Sequence, residues 1–191
     1  IGTNAGYESQ GLSSIAIGGH AGLYQGAQAI AIGSVSGGQA PGKIQGDRSV
    51  ALGCFAGSSA GFVGIYPAGD PQGEAAVAVG FAAAAVGQGL GGVAVGFGAG
   101  ASQQGSEATA VGRGAGQQAQ GVNAIAVGSQ AGECFQGTGA IAIGREAGVT
   151  GQGTCGMSIG VEAGHRNQGG TGIAIGYWAG RRDQGRFSVA V

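Results

Sequence analysis

The sequence predicts an all-β fold, a parallel β-roll or β-solenoid that makes one coil per repeat. Three observations lead there. A block of the form apolar–Ala–apolar–Gly recurs along the whole chain, and its interval settles at sixteen residues. Glycine supplies 48 of the 191 residues, and charged residues only 9%. Average usage is about 7% Gly and about 25% charged, so the bias is strong. Collagen would need Gly at every third position and abundant Pro, whereas this chain has three prolines. A chain that is 43% hydrophobic also lacks the composition of simple disorder.

The repeat fixes the register. Numbering each copy from the first apolar residue of the block, copies begin at Ile15, Ile30, Val50, Val77, Val93, Thr109, Ile125, Ile141, Met157, Ile173 and Val189. From Val77 onward every interval is sixteen residues; the earlier ones are fifteen, twenty and twenty-seven. Position two is Ala in every copy except at Ser158, and position four is always Gly, as at Gly112, Gly128 and Gly144. A Gln-Gly pair holds positions twelve and thirteen, from Gln10-Gly11 to Gln184-Gly185.

Each block reads as a short strand, because β-branched residues alternate at spacing two between glycines. One such strand cannot bury its own face, so consecutive copies must stack. At about 4.8 Å per coil, about eleven coils give a rod on the order of 50 Å long. The expected core is the Ile/Val pair at positions one and three, each worth roughly 1.5–3 kcal/mol when buried. Alternation then turns the position-two residues the other way. That row, Ala94, Ala110, Ala126, Ala142 and Ala174 among others, is expected to be an oligomer face, closely packed against identical copies, the alternative being a thin single-chain solenoid that covers both faces internally. The Gln row of Gln104, Gln120, Gln136, Gln152, Gln168 and Gln184 is expected to be a ladder, each side-chain amide bonded to the amides above and below.

Charged residues keep to variable positions such as Arg113, Glu133, Arg145, Glu146, Glu162, Arg181 and Asp183, so the turns should face water. Two insertions break the sixteen-residue rule, at 38–44 and 58–71. The longer carries Phe62, Ile65 and Tyr66, a candidate protein contact on a loop held by a rigid rod. A second candidate contact is Tyr177, Trp178, Arg181 and Arg182, since aromatics with Arg are the usual composition of contact hot spots. Residues 1–191 read as a single solenoid domain, and the opening in mid-repeat at Ile1-Gly2 suggests a piece of a longer chain.

The pattern "AIAIG..AG...QG..AIAIG" resembles the left-handed parallel β-roll of trimeric autotransporter adhesin heads, whose copies run "AIG..A.A.G..S.AIG". It resembles more closely the "AIAIG..AG..GQG" repeat proteins of large DNA viruses and the repeat regions of some phage fibres. The resemblance implies a left-handed roll and three chains. The sixteen-residue period, the fixed Gln-Gly and the presence of Cys54, Cys134 and Cys155 depart from the adhesin pattern and favour the viral one.

Chemistry has little to build on. "GGQAPGKI" at 37–44 nearly spells a phosphate-binding loop, but Ile44 stands where a Ser or Thr must hold magnesium. Gly87, Gly89 and Gly92 satisfy G-x-G-x-x-G but lead into a strand. His20 and His165 lie far apart without evident companions, so no metal site is expected. The cysteines share no C-x-x-C spacing and are expected as free thiols. No cofactor and no enzymatic activity are expected. A net charge of −1 gives no reason to expect nucleic acid as a partner, and no apolar run is long enough to insert in a membrane. The expected function is structural, in a virion as a minor capsid, fibre or surface decoration component, with the chain itself, as a homotrimer, and other virion proteins as partners. The alternative is an adhesin head at the bacterial cell surface, binding host surface or matrix.

Overall fold

A computed structural model describes residues 1–37, 45–57 and 72–191. Among these residues there is no helix. Eleven strands form one parallel sheet: Ile15–Ile17, Ile30–Ile32, Val50–Leu52, Val77–Val79, Val93–Val95, Thr109–Val111, Ile125–Val127, Ile141–Ile143, Met157–Ile159, Ile173–Ile175 and Val189–Ala190. Every one begins at the residue that opens a repeat. Eleven stacked strands enclose about ten turns of a β-solenoid. The register is in phase throughout: Ile125 lies beside Ile141, Ala126 beside Ala142 and Val127 beside Ile143. The insertions do not disturb it, since Ala31 lies beside Ala51 and Ala51 beside Ala78.

A second parallel sheet runs along another side of the coil, through Val86–Gln88, Ser102–Gln104, Gln118–Gln120, Cys134–Gln136 and Thr150–Gln152. Single bridges extend this row through Gln25, Gln45 and Gln72 at one end and through Arg166 and Arg182 at the other.

The coil turns by placing residues in left-handed backbone conformations at fixed positions. In the copy that opens at Ile125, φ is positive at Gly128 (129°), Gln130 (56°), Gly132 (52°), Phe135 (56°) and Gly139 (64°). Positions four and eight favour Gly for separate reasons, position four without exception and position eight in every copy but the one with Ala84. At Gly112, a φ of +129° is a backbone state that residues with a Cβ avoid, and a Cβ would lie 2.5 Å from the Gly128 carbonyl oxygen in the next coil. At Gly116, a Cβ would lie 2.6 Å from the Oε1 of Gln120. The Gly of each Gln-Gly pair answers to close stacking instead, because a Cβ on Gly121 would meet the Thr138 backbone nitrogen at 2.5 Å.

The core is the reverse of the expected one. Ala94, Ala110, Ala126, Ala142 and Ala174 are 0% exposed within this one chain. Ala94, Ala110, Ala126 and Ala142 pack with the Ala of each "AG" pair, such as Ala99, Ala115, Ala131 and Ala147, in one interior cluster, and Ala174 packs with Ala163 and Ala179 in another beyond Ser158. The Ala row is thus the lumen of the coil, already covered by its own chain, and is not available as an oligomer face. The Ile/Val pair points outward: Ile17 and Ile32 are each 38% exposed and Ile175 is 41% exposed. Alternation assigned the two faces to the correct residues. The coil is simply too narrow to hold Ile inside.

A lumen filled at Ala volume leaves no room for growth, so Ala126→Leu should lower stability by about 1–3 kcal/mol through overpacking. Ile125→Thr, on the outer face, should cost less than half as much. Denaturant unfolding of the two variants beside the parent chain checks the difference.

Candidate functional surfaces

The Gln row lies inside the coil and braces it. Gln120 donates from Nε2 to the carbonyls of Thr109, at 2.8 Å, and Ala124, at 3.2 Å. Gln136, Gln152, Gln168 and Gln184 do the same one coil further each time, and Gln104 one coil before. The brace survives the irregular copies. Gln72 reaches back twenty-two residues to the Val50 carbonyl and forward to that of Ala76. The expected amide-to-amide ladder is therefore replaced by amide-to-backbone bonds, with one exception, Gln136 donating to Gln152 Oε1 at 3.3 Å. Two backbone carbonyls facing an apolar lumen need a donor, and a neutral side chain with two N–H groups supplies both.

The oxygen end of the amide pays for this placement. Oε1 of Gln88, Gln104, Gln120, Gln136 and Gln184, among others, is buried without a hydrogen-bond donor among the described residues. Gln168 escapes that cost. Ser158, the one break in the Ala row, donates its Oγ–H to Gln168 Oε1 at 2.5 Å. A polar residue in the core is here the missing partner of another.

The outer face of the eleven-stranded sheet carries two rows of Ile, Val, Leu, Met and Thr with no charged residue. Stacked neighbours cover the sides of each side chain and leave the tips in solvent. At about 4.8 Å per strand and about 3.3 Å per residue, this stripe measures on the order of 50 Å by 10 Å.

The corner after the outer sheet carries the side chains with most chemistry. Side chains at positions five, six and nine gather there from neighbouring coils. Phe55, Phe81 and Phe97 form one ring column, the last pair stacked with centroids 5.2 Å apart. Near the other end, Tyr177 and Trp178 stack at 4.7 Å and the Arg181 guanidinium sits 4.9 Å from the Trp178 ring centre. Arg182 stands apart from that group, aligned with Arg166 along the second sheet. The other candidate contact, Phe62, Ile65 and Tyr66, lies outside the described residues.

His165 does have companions. Its Nε2 lies 3.8 Å from Glu146 Oε2 in the preceding coil, and one ligand atom each of Glu146, Glu162 and His165 lies within 4.8 Å of the other two. Burial, then the Arg166 charge, pushes His165 below the usual imidazole range. The Trp178 indole, then the Arg181 charge, holds the Glu162 carboxyl below the usual carboxylate range.

Cys54, Cys134 and Cys155 are free thiols, and burial followed by the Glu133 charge pushes Cys134 up. Gly87, Gly89 and Gly92 lie in the strand Val86–Gln88 and the turn after it, with no helix to receive a phosphate. The stretch 37–44 falls outside the described residues beyond Gly37. No helix among the described residues is long and apolar enough to cross a membrane.

The Ser158 arrangement predicts an inverted mutational pattern. Ser158→Ala should lower stability by about 1–2 kcal/mol by orphaning a buried oxygen. Ala110→Ser, which offers the same donor to Gln120, should leave stability unchanged or raise it by up to about 1 kcal/mol. Thermal unfolding of both variants checks this.

Compared with known proteins, the chain matches no family model, no curated protein and no solved structure.

Proposed function

We propose that this chain is a structural, non-enzymatic component of a virion, a minor capsid, fibre or surface decoration protein that works through rigid assembly and surface contacts. The observation that carries the reading is the outward Ile/Val stripe, unbroken and without charge along eleven strands. Soluble monomers rarely expose a contiguous apolar surface of several hundred Å², and such a patch marks an interaction surface. Two stripes of about 500 Å² face to face would bury about 1,000 Å², the lower bound for a specific interface. Self-association through this face, as a parallel homotrimer of left-handed rolls, is the arrangement that the resemblance to viral fibre and adhesin head repeats favours. The Ile/Val stripe takes the part first assigned to the Ala row. Contacts with other virion proteins fall to the aromatic corner around Tyr177, Trp178 and Arg181, and to Phe62, Ile65 and Tyr66 on the longer insertion.

Light scattering tests the assembly. The parent chain should sediment and scatter as a trimer at micromolar concentration, and Ile125→Lys with Ile141→Lys should release folded monomers. Arg113→Gln, on a turn, should leave the trimer intact. A parent chain that stays monomeric contradicts the assembly. Location is a separate test: an antibody to the chain should label intact virions of the source, and labelling of bacterial cell surfaces instead would support the adhesin reading.

A further inference from the structure

We propose that Glu146, Glu162 and His165 form a binding site for a borderline first-row divalent cation, Zn²⁺ in the first instance. The solenoid places these groups together by its own period. Glu146 and Glu162 occupy the same position in consecutive coils, and His165 follows Glu162 by three residues across the corner. Their ligand atoms lie within 4.8 Å of one another. Two carboxylates held at the coil spacing repel unless a positive group lies between them.

The positive groups present serve the pair imperfectly. Arg145 Nη1 meets Glu146 Oε1 at 3.1 Å on the solvent side, which leaves Oε2 facing His165. Arg181 Nη2 comes within 2.7 Å of Glu162 Oε2, yet that buried oxygen has no hydrogen bond and neither does Arg181 Nε. The Trp178 indole and Arg181 both engage the Glu162 carboxyl, so Arg181 is the positive group that a bound cation would displace. Side-chain exposures of 28%, 12% and 15% for Glu146, Glu162 and His165 put the three groups in a partly dry recess that solvent can still reach.

Two carboxylate oxygens and one imidazole nitrogen suit Zn²⁺, with water completing the shell. Mg²⁺ and Ca²⁺ prefer oxygen ligands in larger number. The bound ion would join two consecutive coils at their outer edge, and Arg181 is its competitor for Glu162.

Trp178, the single tryptophan of the chain, stands in the same column one coil beyond Glu162 and reports on the site. Titration of the parent chain with Zn²⁺, followed by Trp fluorescence, should give a saturable one-to-one response, and Mg²⁺ at the same concentrations should give none. His165→Ala and Glu146→Gln should each weaken the apparent affinity about tenfold or more. Arg181→Gln should tighten it by removing the competing charge. The three thiols and His20 are unchanged in every variant, so the differences isolate this site. The proposal is overturned if the parent chain and Arg181→Gln both lack a saturable response below about 1 mM Zn²⁺. It is equally overturned if His165→Ala and Glu146→Gln bind as the parent does.

Discussion

A sixteen-residue coil encloses very little space, and most of the structure follows from that. Only methyl-sized side chains fit where the strand faces inward, so position two is Ala from Ala16 to Ala190 and Ser once. The remaining interior space takes one flat amide per coil. That amide must be Gln, because its two N–H groups reach the inward-facing carbonyls at both ends of the coil. Position eight is Gly in every other complete copy, where a Cβ would crowd the amide oxygen, and Ala84 is the one side chain accepted there. Ile, Val, Leu and Met are then forced outward, where they make the apolar stripe.

Such a core stabilises the chain differently from an ordinary one. A buried Ala contributes little apolar area, and 48 glycines raise the entropy cost of folding. Cohesion comes instead from the inter-coil backbone bonds that repeat at each step, such as Gly128 N–H to the Val111 carbonyl at 2.8 Å and Ile125 N–H to the Ala140 carbonyl at 2.9 Å. Stacked Ile/Val side chains add partial burial on the outside, and covering their tips with another molecule would complete it. The demand for a partner is thus a consequence of the narrow lumen.

Strand positions, parallel stacking and in-phase register were all legible in the sequence, because the period and the spacing of β-branched residues determine them. Which face lies inside was not. Alternation groups Ala126 apart from Ile125 and Val127 without saying which group is interior, and the habit of burying the larger residue misleads when the enclosure is small. The signal was present in the invariant Gln and Gly, since a row of Gln inside is compatible only with small neighbours. The Gln partners were missed for the same reason, as stacking suggested amide-to-amide bonds before the inward carbonyls were known to need donors. His165 was read without companions because Glu146 is distant along the chain, although the sixteen-residue period brings Glu146 and Glu162 into one column.

The orientation of the Gln row tests the account most directly. In ¹⁵N NMR, the side-chain amide protons of Gln88, Gln104, Gln120, Gln136, Gln152 and Gln168, each no more than 3% exposed, should exchange with water orders of magnitude more slowly than those of Gln103 and Gln118. Protection confined to the first group would place the amides and the Ala row inside the coil and the Ile/Val stripe outside. Fast exchange at all of these side chains would mean that the Gln row faces water, and the inside and outside of the solenoid would have to be reversed.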